Sequence, residues 1–163
     1  MYRIVGIDLA AKEKNKTGLC YKDTILKFKI VYTNEEILEI IKSIKPDIVV
    51  IDAPLSKEKI PFRDSDLELL RRGFRPMPLS IKSIFELANR GILIKNEIEK
   101  TMKSKVLETF PRAVEKILGF KYEKFKHYFK SKHLYDSWLC YLAGLYYSIG
   151  KSENINGIII PKW

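Results

Sequence analysis

The sequence predicts an α/β domain on one mixed sheet, in which an antiparallel hairpin section is joined to parallel strands and helices cover the faces. Three observations carry the prediction. Residues 2–9, 17–22 and 24–32 are three successive runs of strand character, and the short "KDT" between the last two suits a tight antiparallel hairpin. An amphipathic helix follows, and then a short continuous apolar run, "DIVVID". A strand reached through a helix and apolar on both faces is the mark of a buried parallel strand.

Each later element is read in the same way. In "TNEEILEIIKSIKPD", Thr33 or Asn34 can cap, Glu35 and Glu36 favour the positive helix end, and Ile37, Ile40, Ile41 and Ile44 form the apolar stripe. Pro46 ends that helix. Residues 54–61 read as a loop, and residues 64–72 and 81–101 as mostly helical, so that about 54–103 is a helical insertion. "SKVLETF" is a further strand, and "PRAVEKILG" a helix with proline in its first turn and Gly119 as its stop. Residues 132–149 form a long apolar helix and "GIIIP" a last short strand.

At 163 residues, without repeats or linkers, the chain is expected to be one domain. Cys20 and Cys140 sit in apolar patterns and match neither a zinc nor a redox spacing, so both are expected as buried free thiols. The first residues enter a strand without a leader, and the longest apolar stretch, "WLCYLAGLYYSIG", is too short for a bilayer, so a cytoplasmic protein without a membrane partner is expected. The formal net charge of +10 suits an anionic partner, nucleic acid above all. An Ile, Lys and Glu bias of the hyperthermophile kind accounts for part of that charge. Nothing in the sequence speaks to oligomeric state.

The chemistry lies in the acids. Asp8, Asp52 and Glu108 each stand at or beside the carboxyl end of an apolar strand, where ligands bind in open α/β folds, and Asp136 stands in the first turn of the last long helix. Carboxylates brought together repel and protonate unless a cation neutralises them. Hard oxygen donors, with no His pair or thiol at hand, suit Mg²⁺ or Mn²⁺. Two such ions about 4 Å apart can stabilise attacking water and leaving oxygen in a phosphodiester displacement. Taken singly, an Asp after a strand is more often a turn former or helix cap.

Other residues have two readings each. Arg63, Arg71, Arg72 and Arg75 can hold phosphates or form a solvated basic face with Asp64, Asp66 and Glu68. Arg112, at a helix start, opposes the helix dipole and wants a separate reason, such as a phosphate. His133 can transfer protons or cap its helix. "KYEKFKHYFKSKH" interleaves lysines with aromatics as single-strand binders do, yet Phe125, Tyr128 and Phe129 have the spacing of a packed helix face, the commoner case.

Together "GIDLA", "KTGLC", "VVIDAPLS", "FRDSDLELLRRGFRPMP", "LETFPRA", "YDSWLCYLAG" and "GIIIPK" resemble the predicted nucleases of RNase H-like fold, a domain-of-unknown-function family of archaea and bacteria. The match runs through nearly the whole chain. It implies a five-stranded sheet, three antiparallel strands and then two parallel, with Asp8 contacting both metals and Asp52 and Asp136 completing the set. Glu108 belongs to the "ETFPRA" motif and Arg63 and Asp66 to an "R-x-x-D" motif. "HLYD" keeps His133 but has Leu134 where many relatives have an acid. The function expected is a metal-dependent phosphodiesterase on DNA or RNA, a hydrolase with Asp8, Asp52, Glu108 and Asp136 as catalytic metal ligands and Arg63, Arg112 and His133 at the substrate. The alternatives are a catalytically silent nucleic-acid-binding or scaffold protein and, further off, an ATP-dependent phosphotransferase. The last lacks both the second domain half and any Gly-rich nucleotide loop.

Overall fold

Seven strands form one sheet in the computed structural model, which describes residues 1–162. The chain runs through β1 (Ile4–Asp8), β2 (Thr17–Lys22), β3 (Leu26–Val31), α1 (Asn34–Ile44) and β4 (Ile48–Asp52). It continues with α2 (Asp64–Arg71), α3 (Lys82–Thr101), β5 (Lys105–Thr109), α4 (Pro111–Ile117), α5 (Tyr122–Phe125), α6 (Lys132–Ser148), β6 (Ser152–Ile155) and β7 (Ile158–Pro161). The strand order is β3-β2-β1-β4-β5-β7-β6. The first three strands are antiparallel, while β4, β5 and β7 join β1 in parallel.

The five strands that the resemblance implied are the first five of these, and "GIIIP", expected as a last short strand, is β7; β6 alone was not expected, and with β7 it corrects the count to seven. Asn156 and Gly157 both have positive φ, the combination a two-residue type I′ turn demands, and they fold β6 back on β7. Parallel pairing of Glu108 with Ile158 then adds that hairpin beyond β5. The capping expectation at the first helix holds: Thr33 accepts from the Glu36 amide at 3.1 Å while Glu36 accepts from the Thr33 amide.

Alternating side chains build a core on each face. On one, Val5, Ile7, Val49 and Ile51 pack with Ile37 and Ile41 of α1 and Ile94 and Ile98 of α3. The segment between β4 and β5 is therefore not all an appendage, since α3 covers the sheet. On the other face, Ile4, Val50 and Ile159 pack with Tyr135, Leu139 and Ala143 of α6. The two cysteines are buried and free, as expected.

The seat of α6 positions the site. A Cβ on Gly6 would stand 2.3 Å from both the Ser137 carbonyl and the Tyr141 amide, and one on Gly18 would stand 2.3 Å from the His133 carbonyl. Helix backbone thus rests directly on β1 and β2. Because neither partner is a side chain that can swing away, Gly6→Ala should cost on the order of 3 kcal/mol through overpacking. Urea unfolding would check this, and a loss below about 1 kcal/mol would mean that the helix shifts freely.

Candidate active site

Parallel register sets Asp8 of β1 directly beside Asp52 of β4, both at the carboxyl ends of their strands. Both lie on the α6 face, to which the neighbouring Gly6 and Val50 also turn. The close seat of α6 carries Asp136 into the same electrostatic neighbourhood, where it raises the affinity of both acids for protons. Asp8 and Asp52 therefore stand together, with Asp136 near enough to act on both electrostatically.

Their environment is hostile to charge. Burial first, and the nearby Asp136 second, push Asp8 up from 3.8 to about 7, against the pull of Arg112, Lys132 and a hydrogen bond from Asp52. Asp52 is driven well above its ordinary range by burial and then by Asp8 and Asp136. Burial also raises Asp136, with Arg112 and Lys132 opposing. Among the described residues no group of three or more His, Cys, Asp or Glu stands placed to hold a metal ion. Asp136 is instead paired with Arg112, and Asp8 lies 2.9 Å from Nδ1 of His133. The donor set nevertheless fits a hard cation chemically, being clustered carboxylate oxygen whose own repulsion a divalent ion would relieve.

That repulsion has a sign that can be measured. The folded-state value of Asp8 lies above its unfolded one, so the folded protein binds the extra proton, and stability falls as pH rises through the interval from 3.8 to about 7. The metal-free protein should therefore melt at lower temperature near pH 8 than near pH 5. Mg²⁺ or Mn²⁺ should raise the melting temperature at the higher pH and do so much less at the lower one, where protons compete for the same oxygens. Identical shifts at both values would argue against binding at these acids.

Glu108 does not join the three. It pairs in register with Ile51, one residue before Asp52, so it leaves the sheet on the opposite face. There it accepts from Arg63 at 2.8 and 2.6 Å and from the Leu55 amide at 2.9 Å. Burial pushes its carboxyl up, with Arg63 pulling against it. Arg63 is only 2% exposed and uses all five guanidinium N–H donors on Glu108, Asp66 and Ser56, so as placed it has none for a phosphate. Burial would depress Arg63, but its bonds to Glu108 and Asp66 outweigh that and hold its pKa up.

Arg112 has the separate reason that its place in α4 required: its side chain is shared between Asp136 and Glu115. Two members of this neighbourhood escaped the sequence reading. Lys132 acts on Asp8 and Asp136, and its signal is the four-residue spacing from Asp136, which sets both on one helix face. Glu115 accepts from Arg112, the Tyr135 hydroxyl and the Tyr122 amide, and only the fold brings those three together. Phe125 and Phe129 pack on Tyr135 and Trp138, the core alternative for the lysine-rich run, while Tyr128 stays 74% exposed.

A solved structure described as T. thermophilus RuvC in complex with Holliday junction substrate matches with a TM-score of 0.58 and 15% identity, over 92% of this chain and 97% of that one. The chain thus has the fold of RuvC, the RNase H-like sheet that the motif resemblance implied. No protein-family model matches the sequence, and neither does any curated protein. Among the described residues no helix is long and apolar enough to cross a membrane.

Proposed function

We propose that this chain is a metal-dependent phosphodiesterase that cleaves nucleic acid, with Asp8, Asp52 and Asp136 as the residues that would hold Mg²⁺ or Mn²⁺. The observation that carries the reading is the side-by-side placement of Asp8 and Asp52 at the carboxyl edge of parallel strands, with the charge of Asp136 brought against both. Divalent ions held there would supply an activated water and stabilise the leaving oxygen. Of the chain's own groups, Arg112 and Lys132 offset negative charge beside the acids, and His133 is within hydrogen-bond reach of Asp8. The net charge of +10 favours a polyanionic substrate, and the RuvC likeness makes branched DNA the first to try. Membership of the predicted-nuclease family suggested by the motifs, and action inside the cytoplasm, belong to the same proposal.

The test is incubation of labelled single-stranded, duplex, RNA–DNA hybrid and four-way-junction substrates with the protein and either metal. Metal-dependent strand scission of at least one substrate is expected. A second reading, a silent binder, is favoured by one observation: Asp136 is taken up by Arg112. Salt-sensitive binding to the same panel without scission would select it.

A further inference from the structure

A cavity of about 240 Å³ opens at the carboxyl ends of β4 and β5 and the start of β7, between these strands and helices α2 and α3, with Asp52 among its lining residues. The acids account for one side of this sheet edge only, and nothing so far uses the cavity. Its walls are apolar, formed by Pro54, Pro76, Met77, Ile84, Leu87 and Phe110. Its polar floor is the clamp of Arg63, Asp66 and Glu108.

Volume and charge together restrict the occupant. The space is smaller than the roughly 300 Å³ at which pockets for drug-sized ligands begin, so it suits one ring system rather than a whole nucleotide. The floor repels anions, because every donor of Arg63 is already spent within the clamp. What the floor offers is acceptors: Asp66 Oδ1 and Glu108 Oε1 each take one hydrogen bond from Arg63, and a carboxylate oxygen has a second lone pair. A ligand that fits is therefore flat, neutral and furnished with N–H donors. Met77, 55% exposed, adds a polarizable thioether suited to an aromatic ring.

We propose that this cavity receives one unstacked nucleobase bearing an exocyclic amino group, from the strand whose phosphate lies at Asp8 and Asp52. The inference rests on the nuclease reading for the source of the base, but not for the chemistry of the cavity. Extruded bases are held in this way, between apolar walls with their edge hydrogen-bonded. The amino group donates to Asp66 or Glu108. Thymine and uracil lack that amino group, and their single N3–H is flanked by two carbonyl oxygens that the carboxylates repel.

The experiment is methyl NMR on the metal-free full chain, labelled at Met, Ile and Leu methyls, with adenosine, cytidine and thymidine as probes. Saturable upfield ring-current shifts at Met77, Ile84 and Leu87 are expected with adenosine or cytidine, and at least tenfold weaker binding with thymidine. A short single strand carrying adenine should produce the same shifts, and the same strand with that base removed should not. No shift with any probe would overturn the proposal, as would equal response to thymidine. Shifts with adenosine that the strand cannot reproduce would overturn the strand-borne source. Shifts without strand scission in the cleavage panel would retain the cavity and remove the nuclease reading, whereas scission without shifts would do the reverse.

Discussion

Replacing both Asp8 and Asp52 with asparagine should abolish metal-dependent strand scission, a fall on the order of 10³-fold or more, the scale seen when one group stabilising the transition state is lost. The two side chains stand side by side in register, so asparagine at both keeps the shape of the site and removes only charge. Stability should move the other way. Burial and mutual repulsion hold both carboxyls above their ordinary range, so a neutral amide relieves a penalty that the metal-free protein carries near neutral pH. Higher melting temperature together with lost cleavage is the expected pair of results. Cleavage unaffected in the double variant would refute the assignment of these acids.

Arg63→Met should be the most damaging substitution for the fold itself. Arg63, Asp66 and Glu108 are 2%, 4% and 7% exposed, and the guanidinium is the cation bonded to both acids. Its removal leaves two carboxylates buried without compensation, a loss of about 3–5 kcal/mol when one partner of such a pair is taken away. In a chain of this size that corresponds to a fall in melting temperature of roughly 10 °C. The effect should persist at high salt, since buried pairs are poorly screened. Urea unfolding of the two proteins measures the difference, and a loss under about 1 kcal/mol would show that the acids can protonate or rotate out at little cost.

These two results separate what the sequence discloses from what it hides. Asp8 and Asp52 were legible because each closes a run of apolar residues, and a strand followed by an acid has a position in an α/β sheet before any coordinates exist. The α6 start was legible as a helix, and Asp136 with it. Arg63 was not, because its partner Glu108 lies 45 residues away and only the crossover through α3 brings them together. A charged residue without a readable partner looks the same in sequence whether it binds phosphate or fills a buried clamp. The face of Glu108 was equally hidden, since a shift of one residue in strand register inverts it. The β6–β7 hairpin is a different case: "NINGI" carries the Asn-Gly turn signal in plain form, but the strand before it, "SENI", is short and polar and has no apolar alternation to mark it.

The bare backbone contact of α6 with β1 and β2 has a bearing on how this protein would fail. His133 and Asp136 ride on a helix that cannot lift without unpacking the middle of the molecule. Parts drawn from the deepest, slowest-exchanging layer of a protein do not fray ahead of the rest. Heat should therefore switch such a centre off all at once, with the collapse of the whole, and leave no half-working intermediate below that point.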